Sequence, residues 1–278
     1  MRSKPNHPEA DEKTQTPSKR GGANEKIRGR KDPANPRLWL YGRHAVAAAL
    51  GNPHRHIRRV VATKNAEDWL TSATALDLSV LKNFESEKPG VIDRLLPPGA
   101  VHQGLAAEVY DLERSRLKDV CANPKIGEPV VVLDQITDPQ NIGAIFRSAA
   151  AFGARGIIVQ DRRTPPLSGA LAKAAAGAVE TVPCVKAVNI ARSIEALRAL
   201  GFYVVGLTGD ATETIVDIAS ERPIAIVLGA EGTGLRHLVS QTCDSLARVP
   251  ISDNVESLNV SNAAAIALYE TTRQSLTR

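Results

Sequence analysis

From residue 129 onward, short apolar runs recur at regular intervals: "PVVVLD", "GIIVQ", "TVPCV", "FYVVGL", "PIAIVLG" and "SLARVPI". Each is rich in β-branched residues, bounded by turn formers, and close to continuously apolar. That is the pattern of strands buried on both faces of a parallel sheet. Between them, apolar positions at helical spacing predict helices at about 141–153, 168–178, 189–200, 234–241 and 257–272. The alternation predicts an α/β domain over residues 129–278, with ligand sites at the carboxyl ends of its strands.

Upstream the pattern is finer. "LYGRHAVAAAL" (40–50) reads as a turn and a short helix, "IRRVVAT" as a strand, and 66–76 as a helix. "LSVLKNF" and "GLAAEVY" (104–110) read as two more strands. Residues 38–112 therefore form a smaller α/β unit. The charged stretch "DLERSRLKDVCANPKIGE" closes on Pro and Gly, and 113–128 is read as a linker.

Residues 1–37 follow neither pattern. They hold ten Lys/Arg, five Asp/Glu, five prolines and five apolar residues, too little apolar surface to fold. This basic tail carries the whole formal net charge of +5, since the remaining 25 basic and 25 acidic residues cancel. A disordered basic arm suits a polyanion, and equally a solubilising tail. Hydrophobic residues make up 43% of the chain but aromatics only 4%, so Ala and aliphatic packing must build the core. No run approaches the roughly 18 apolar residues of a membrane span, and no hydrophobic signal core opens the chain, so a cytoplasmic protein is expected. Cys121, Cys184 and Cys243 stand apart, outside any CxxC or Cys/His cluster. Neither a metal site nor a disulfide framework is expected.

Three strand ends carry unusual polar residues. In "LDQITDPQNIGAIFRSAAAFGARGIIV" (133–159), Asn141 reads as the N-cap of a helix whose stripe is Ile142, Ile145, Ala149 and Phe152. Arg147 lies nearly opposite that stripe, flanked by Ala144, Ala150 and Ala151 rather than by charges. Its surroundings suggest a partner surface or an anionic ligand more than open solvent. In "PIAIVLGAEGTGL" (223–235), Gly229, Gly232 and Gly234 permit tight turns and close approach to a ligand. The loop is neither the GxGxxG fingerprint nor a P-loop, and Glu231 within it would repel phosphate. In "ISDNVESLNVSNAAAIAL" (251–268), Ser257, Asn259, Ser261 and Asn262 crowd the start of an Ala-rich helix that one cap would satisfy. The three segments share one format and together suit a single pocket. In the smaller unit, "HRHIRR" (54–59) places Arg55, Arg58 and Arg59 beside a strand, where they suit phosphates and equally a solvated edge that guards against aggregation.

"DPQNIGAIFRSAAAFG", "VLGAEGTGL" and "VPISDNVESLNVSNAAAIALYE" resemble motifs 1, 2 and 3 of the SpoU/TrmH family of RNA ribose 2′-O-methyltransferases. "LYGRHAV" and "HQGLAAEV" resemble the substrate-binding domain of its RlmB-type subgroup, which methylates a guanosine of large-subunit (23S) ribosomal RNA. The resemblance implies a SPOUT-type parallel sheet with a C-terminal trefoil knot, bound S-adenosyl-L-methionine, and a homodimer with active sites near its interface. It also implies catalytic roles for Asn141, Arg147, Glu231, Ser257 and Asn259. The cofactor contacts it implies are Leu207, Gly229, Val249, Ile251 and Leu258, and its RNA contacts include Arg43 with Arg55, Arg58 and Arg59. No metal is implied. Where the family pattern is "GSVSSLN", this chain has "DNVESLN". Asn254 there suits a left-handed position if one is needed, and Glu256 changes local contacts. A transfer-RNA target, a non-enzymatic RNA-binding module and an unrelated nucleotide-binding α/β enzyme are the competing readings.

Overall fold

A computed structural model describes residues 37–74, 83–218 and 222–276. The small sheet comprises β1 (Leu38–Tyr41), β2 (Ile57–Ala62), β3 (Phe84–Ser86) and β4 (Leu105–Val109), in the order β1-β4-β2-β3. β4 runs antiparallel to both of its neighbours, and β2 and β3 are parallel. Gly42, at φ +93°, turns the chain out of β1 into α1 (Arg43–Gly51). The helix expected over 66–76 is α2 (Lys64–Thr74). Of the strand expected over "LSVLKNF", Phe84 begins β3, and the part within residues 75–82 lies outside the described ones. A short helix α3 (Pro89–Leu95) was not legible in the pattern. It begins with Pro89 in its first turn, and only Ile92 is buried.

Between the sheets runs a connection containing one helical turn, α4 (Leu117–Val120). The large sheet is parallel throughout and has seven strands: β5 (Val130–Asp134), β6 (Gly156–Gln160), β7 (Cys184–Ala187), β8 (Tyr203–Leu207), β9 (Glu213–Thr214), β10 (Ile224–Gly229) and β11 (Ser245–Arg248). Their order is β7-β6-β5-β10-β8-β11-β9, which puts β10 at the centre. The helices are α5 (Pro139–Ala151), α6 (Gly169–Ala174), α7 (Ile190–Ala199), α8 (Ile215–Ile218), α9 (His237–Thr242) and α10 (Val260–Leu276). Val130, Val131 and Val132 are fully buried, as are Ile224–Leu228 to within 4%. Sheet faces covered on both sides explain why these runs carry no polar residue before their ends.

Four helix starts or ends differ from the expectation, each for a local reason. Asn141 is not the N-cap of α5. Asp138 is, its carboxylate accepting from the backbone N–H groups of Gln140 and Asn141, with Pro139 at the first helical position. The helix expected over 168–178 stops at Ala174, because Ala176 (φ +50°) and Gly177 (φ +98°) are left-handed and lead into a 3₁₀ turn at Ala178–Glu180. α9 starts at His237, since Gly234 (φ +64°) still belongs to the loop. α10 starts at Val260 rather than 257.

One continuous cluster of buried side chains joins both sheets. Leu40, Val46 and Leu105 of the small unit belong to it together with Ile142, Phe146, Leu171 and Ala175. α6 is the intermediary, packing on β1 and α1 on one side and on α5 on the other. A second cluster fills the opposite face of the large sheet, with Ile158, Ile194, Leu197 and Val227. Among the described residues, no helix is long and apolar enough to cross a membrane.

Candidate active site

At its carboxyl end, β10 opens into the glycine loop. Ala230 and Gly234 pair across it, with the Gly234 N–H donating to the Ala230 carbonyl at 2.9 Å. The loop folds back so tightly that a Cβ on Gly229 would strike the Gly234 backbone. Gly232 at φ +80° makes the turn. No other residue fits Gly229, which is the physical content of that glycine.

The loop is held from below by Asp134, the last residue of β5 and 0% exposed. Arg236 grips it with three hydrogen bonds: backbone N–H to Oδ2 at 3.0 Å, Nε to Oδ1 at 2.9 Å, and Nη2 to Oδ1 at 2.6 Å. Neither residue stood out in the sequence reading. The available signal was a charged residue ending an otherwise apolar strand run, which is rare unless the charge is paired.

Held in this way, the loop presents Glu231 to two other segments. Glu231 Oε1 accepts from Asn141 Nδ2 at 3.2 Å, from Asn259 Nδ2 at 2.7 Å and from the Val260 backbone N–H at 3.3 Å. Asn259 Nδ2 also donates to Asn141 Oδ1 at 3.0 Å. Its own Oδ1 accepts from the Ser261 backbone N–H at 2.9 Å and from Ser261 Oγ at 2.6 Å, and its carbonyl takes the Ala263 N–H. Asn259 is therefore both the cap of α10 and a member of a three-residue polar cluster. The crowd of short polar residues at this helix start has two tasks.

The remaining expected residues fall into two groups. Leu207, Gly229 and Val249 converge at one sheet edge: Leu207 ends β8, Gly229 ends the neighbouring β10, and Val249 follows the neighbouring β11. Leu207 and Val249 are half-buried against the core. Ile251 and Leu258 lie on the segment between β11 and α10, and among the described residues their backbone N–H groups make no hydrogen bond. The turn between them does not use a left-handed Asn254, so replacing glycine there carries no backbone strain. Glu256 is exposed. Arg147 and Ser257 are not drawn into the cluster. Both are exposed and without a hydrogen-bond or ion-pair partner among the described residues. Six residues along α5 place Arg147 about 120° around the helix from Asn141. It points off the exposed side of α5 that also bears Ala150 and Ala151.

The four arginines of the small unit are not equivalent. Arg55 is removed from the set of RNA contacts. It is 5% exposed, and its guanidinium is consumed by Glu180 and the Tyr110 carbonyl. Burying the pair left no face for a phosphate. Arg59 spans Glu108 and Glu85 and lies over the Trp39 ring at 5.1 Å. Arg58 is more open and approaches Glu108 at 3.6 Å. Arg43 stacks on Trp69 at 5.3 Å, while its backbone N–H bonds Gln103. The three cysteines are free, and burial pushes the thiols up, to about 11 for Cys121 and about 12 for Cys184 and Cys243. Among the described residues no His, Cys, Asp and Glu gather as a metal site.

Comparison with known proteins places this geometry. Residues 128–269 match the SpoU rRNA Methylase family, and residues 39–115 match the RNA 2′-O ribose methyltransferase substrate-binding family. A 23S rRNA (guanosine-2′-O-)-methyltransferase RlmB of Burkholderia sp is 42% identical over 257 residues, covering 87% of this chain and 99% of the relative. The RlmB of Vibrio parahaemolyticus is 37% identical over 86% of this chain and 97% of its own length. Among solved structures, an AdoMet-bound rRNA methyltransferase from Sinorhizobium meliloti superposes with a TM-score of 0.71 at 27% identity, covering 86% of this chain and 87% of that one. A parallel sheet with a braced glycine loop, a polar cluster at its carboxyl edge and relatives of this closeness along almost their whole length lead to one assignment: the chain belongs to the SpoU rRNA methylase family.

Proposed function

We propose that this protein transfers a methyl group from S-adenosyl-L-methionine to the ribose 2′-hydroxyl of a guanosine in 23S rRNA. The observation that carries the reading is the 42% identity to an RlmB enzyme over 99% of that enzyme's length. The protein works in the cytoplasm as a homodimer whose interface includes the Ala-flanked, Arg147-bearing side of α5.

The edge formed by Leu207, Gly229, Val249, Ile251 and Leu258 fits an adenosyl group. It offers half-buried aliphatic walls, a glycine too crowded for any side chain, and backbone donors unused among the described residues. The threading of residues 249–259 past this edge forms the trefoil knot, a reading supported by the return of α10 onto β10 and α5. When bound, the cofactor supplies an electrophilic methyl on sulfonium sulfur. The chain's residues must then deliver the 2′-oxygen in line with it, which supplies much of the rate. The Asn141–Glu231–Asn259 cluster fixes the start of α10 and with it Ser257, two residues before the cap. The cofactor would supply the methyl group that the 2′-oxygen takes up, and the hydroxyl proton would leave to solvent. Guanidinium groups resist deprotonation, so Arg147 is assigned to hold the adjacent phosphate and to stabilise developing charge on the 2′-oxygen. Arg43, Arg58 and Arg59 supply phosphate contacts on the small unit.

Incubating the protein with methyl-labelled cofactor and separately with 23S rRNA and bulk transfer RNA tests this reading. Label on a guanosine 2′-oxygen of 23S rRNA is expected. Label on transfer RNA alone would move the protein to the competing target, and cofactor binding without transfer to either RNA would overturn the assignment.

A further inference from the structure

Arg55 and Glu180 are 125 residues apart in the chain and meet where the small unit abuts α6. Nε reaches both carboxylate oxygens, at 3.1 and 3.0 Å, and Nη2 reaches Oε1 at 2.7 Å. Nη1 donates to the Tyr110 carbonyl at 2.9 Å, and Asn52 Nδ2 donates to Glu180 Oε2 at 2.8 Å. The two charged side chains are 0% and 1% exposed. Withdrawing both charges from water costs about what their attraction returns, so such a pair is a poor source of stability. It is better suited to admitting one geometry and rejecting others.

The backbone around the pair has no slack. A Cβ on Gly177 would sit 2.6 Å from Ala48 Cβ of α1. On the far side of α6, a Cβ on Gly143 would sit 2.6 Å from Ala174 Cβ. From α1, through the Ala178–Glu180 turn and α6, to α5, each layer is in close contact with the next. α5 carries Asn141 and Arg147.

We propose that the Arg55–Glu180–Asn52 node is a positioning device for the RNA, holding the substrate-binding unit at one fixed place on the helix that carries Asn141 and Arg147. This rests on the reading that the small unit holds RNA while the large sheet transfers methyl. Arg55 thus acts on the substrate through geometry, without touching it. Loosening the node leaves each unit's own binding intact but lowers the fraction of time in which bound RNA is in register with the methyl donor. The expected signature is a fall in kcat with unchanged affinities.

The test compares the full-length parent with Asn52→Ala and with the double variant Arg55→Met/Glu180→Leu, which removes both charges and leaves neither buried alone. With 23S rRNA transcripts and S-adenosyl-L-methionine, kcat should fall about tenfold in the double variant, as when the productive arrangement drops to about a tenth of the population. Asn52→Ala should lose about threefold by the same reasoning. The dissociation constants for RNA and cofactor should stay within about twofold of the parent. A folded double variant with parental kcat would overturn the proposal. If the double variant does not fold, Asn52→Ala decides alone, and parental turnover there overturns it equally. A parent that methylates no RNA refutes the functional reading instead. Deuterium uptake at residues 178–182 then tests the node itself, with a rise of about tenfold in Asn52→Ala expected and an unchanged rate overturning it.

Discussion

Asn259 and Glu231 are joined by a 2.7 Å hydrogen bond from the asparagine amide to the carboxylate, and the same asparagine caps α10 through Ser261. The cap and the candidate active site are one device, so damage to either should register in both. Asn259→Ala should cost about 1 kcal/mol of stability as a lost cap. It should weaken cofactor binding as well, because Ile251 and Leu258 lie on the segment that the cap anchors. Thermal melting and titration calorimetry on the same sample check this. A double-mutant cycle with Glu231→Gln should show coupling of about 1 kcal/mol, since the two residues share one bond.

Gly229→Ala is expected to abolish cofactor binding while leaving the rest of the protein folded. The new methyl group would strike the Gly234 backbone, so the loop must move away from β10. Circular dichroism near that of the parent, with affinity reduced more than about tenfold, is the outcome that overpacking at a loop predicts.

The Asp134–Arg236 pair should respond asymmetrically. Asp134 is fully buried, whereas the Arg236 side chain is 41% exposed. Arg236→Ala strands a buried carboxylate with only a backbone N–H, and should cost about 3–5 kcal/mol. Asp134→Asn leaves an arginine that can turn to water and should cost clearly less. Equal losses in urea titrations would contradict this.

Arg147→Ala should preserve fold and cofactor affinity and lose methyl transfer by orders of magnitude. Arg147→Lys separates two roles. Lysine keeps the charge but not the planar fork, and gives up its proton more readily. Activity that recovers as pH rises would identify proton abstraction, and a dead variant at every pH would identify phosphate positioning. Normal methylation by both variants would remove Arg147 from the site.

Burial raises the three thiols from an ordinary value of 9 to about 11–12. The native state therefore holds thiol protons that the unfolded state releases. The resulting stability is fully present below pH 9 and is lost as pH rises from there towards 12. Stability measured in urea should decline across that window, and the thiols should resist iodoacetamide at pH 8 until the protein is denatured.

Much of the large sheet was legible because its strands are buried on both faces, leaving uninterrupted Val and Ile runs. β9 and α8, with two and four residues, are too short to produce a period. The end of α6 was missed because nothing in an alanine announces the left-handed backbone of Ala176. Asn141 was read as a cap although Asp138 and Pro139 carry the stronger start signal. The resemblance to the family's motifs brought Asn141, Glu231 and Asn259 forward as candidates, and the structure sets them in contact. The reading of Arg55 failed for a different reason. A basic residue beside a strand looks the same in sequence whether it faces a phosphate or a glutamate 125 residues away.

The polar cluster also bears on timing. Its members are separated by 90 and 28 residues, and the bond between Asn141 and Asn259 spans 118. Neither bond to Asn259 can exist while the ribosome has yet to deliver that residue, whereas the Asn141–Glu231 bond needs only the first two segments. The glycine loop and the first strand ends emerge earlier, but they lack the asparagine that closes the site. A nascent chain thus lacks the completed polar cluster during most of its own translation, and acquires it only when the last of three distant segments is in place.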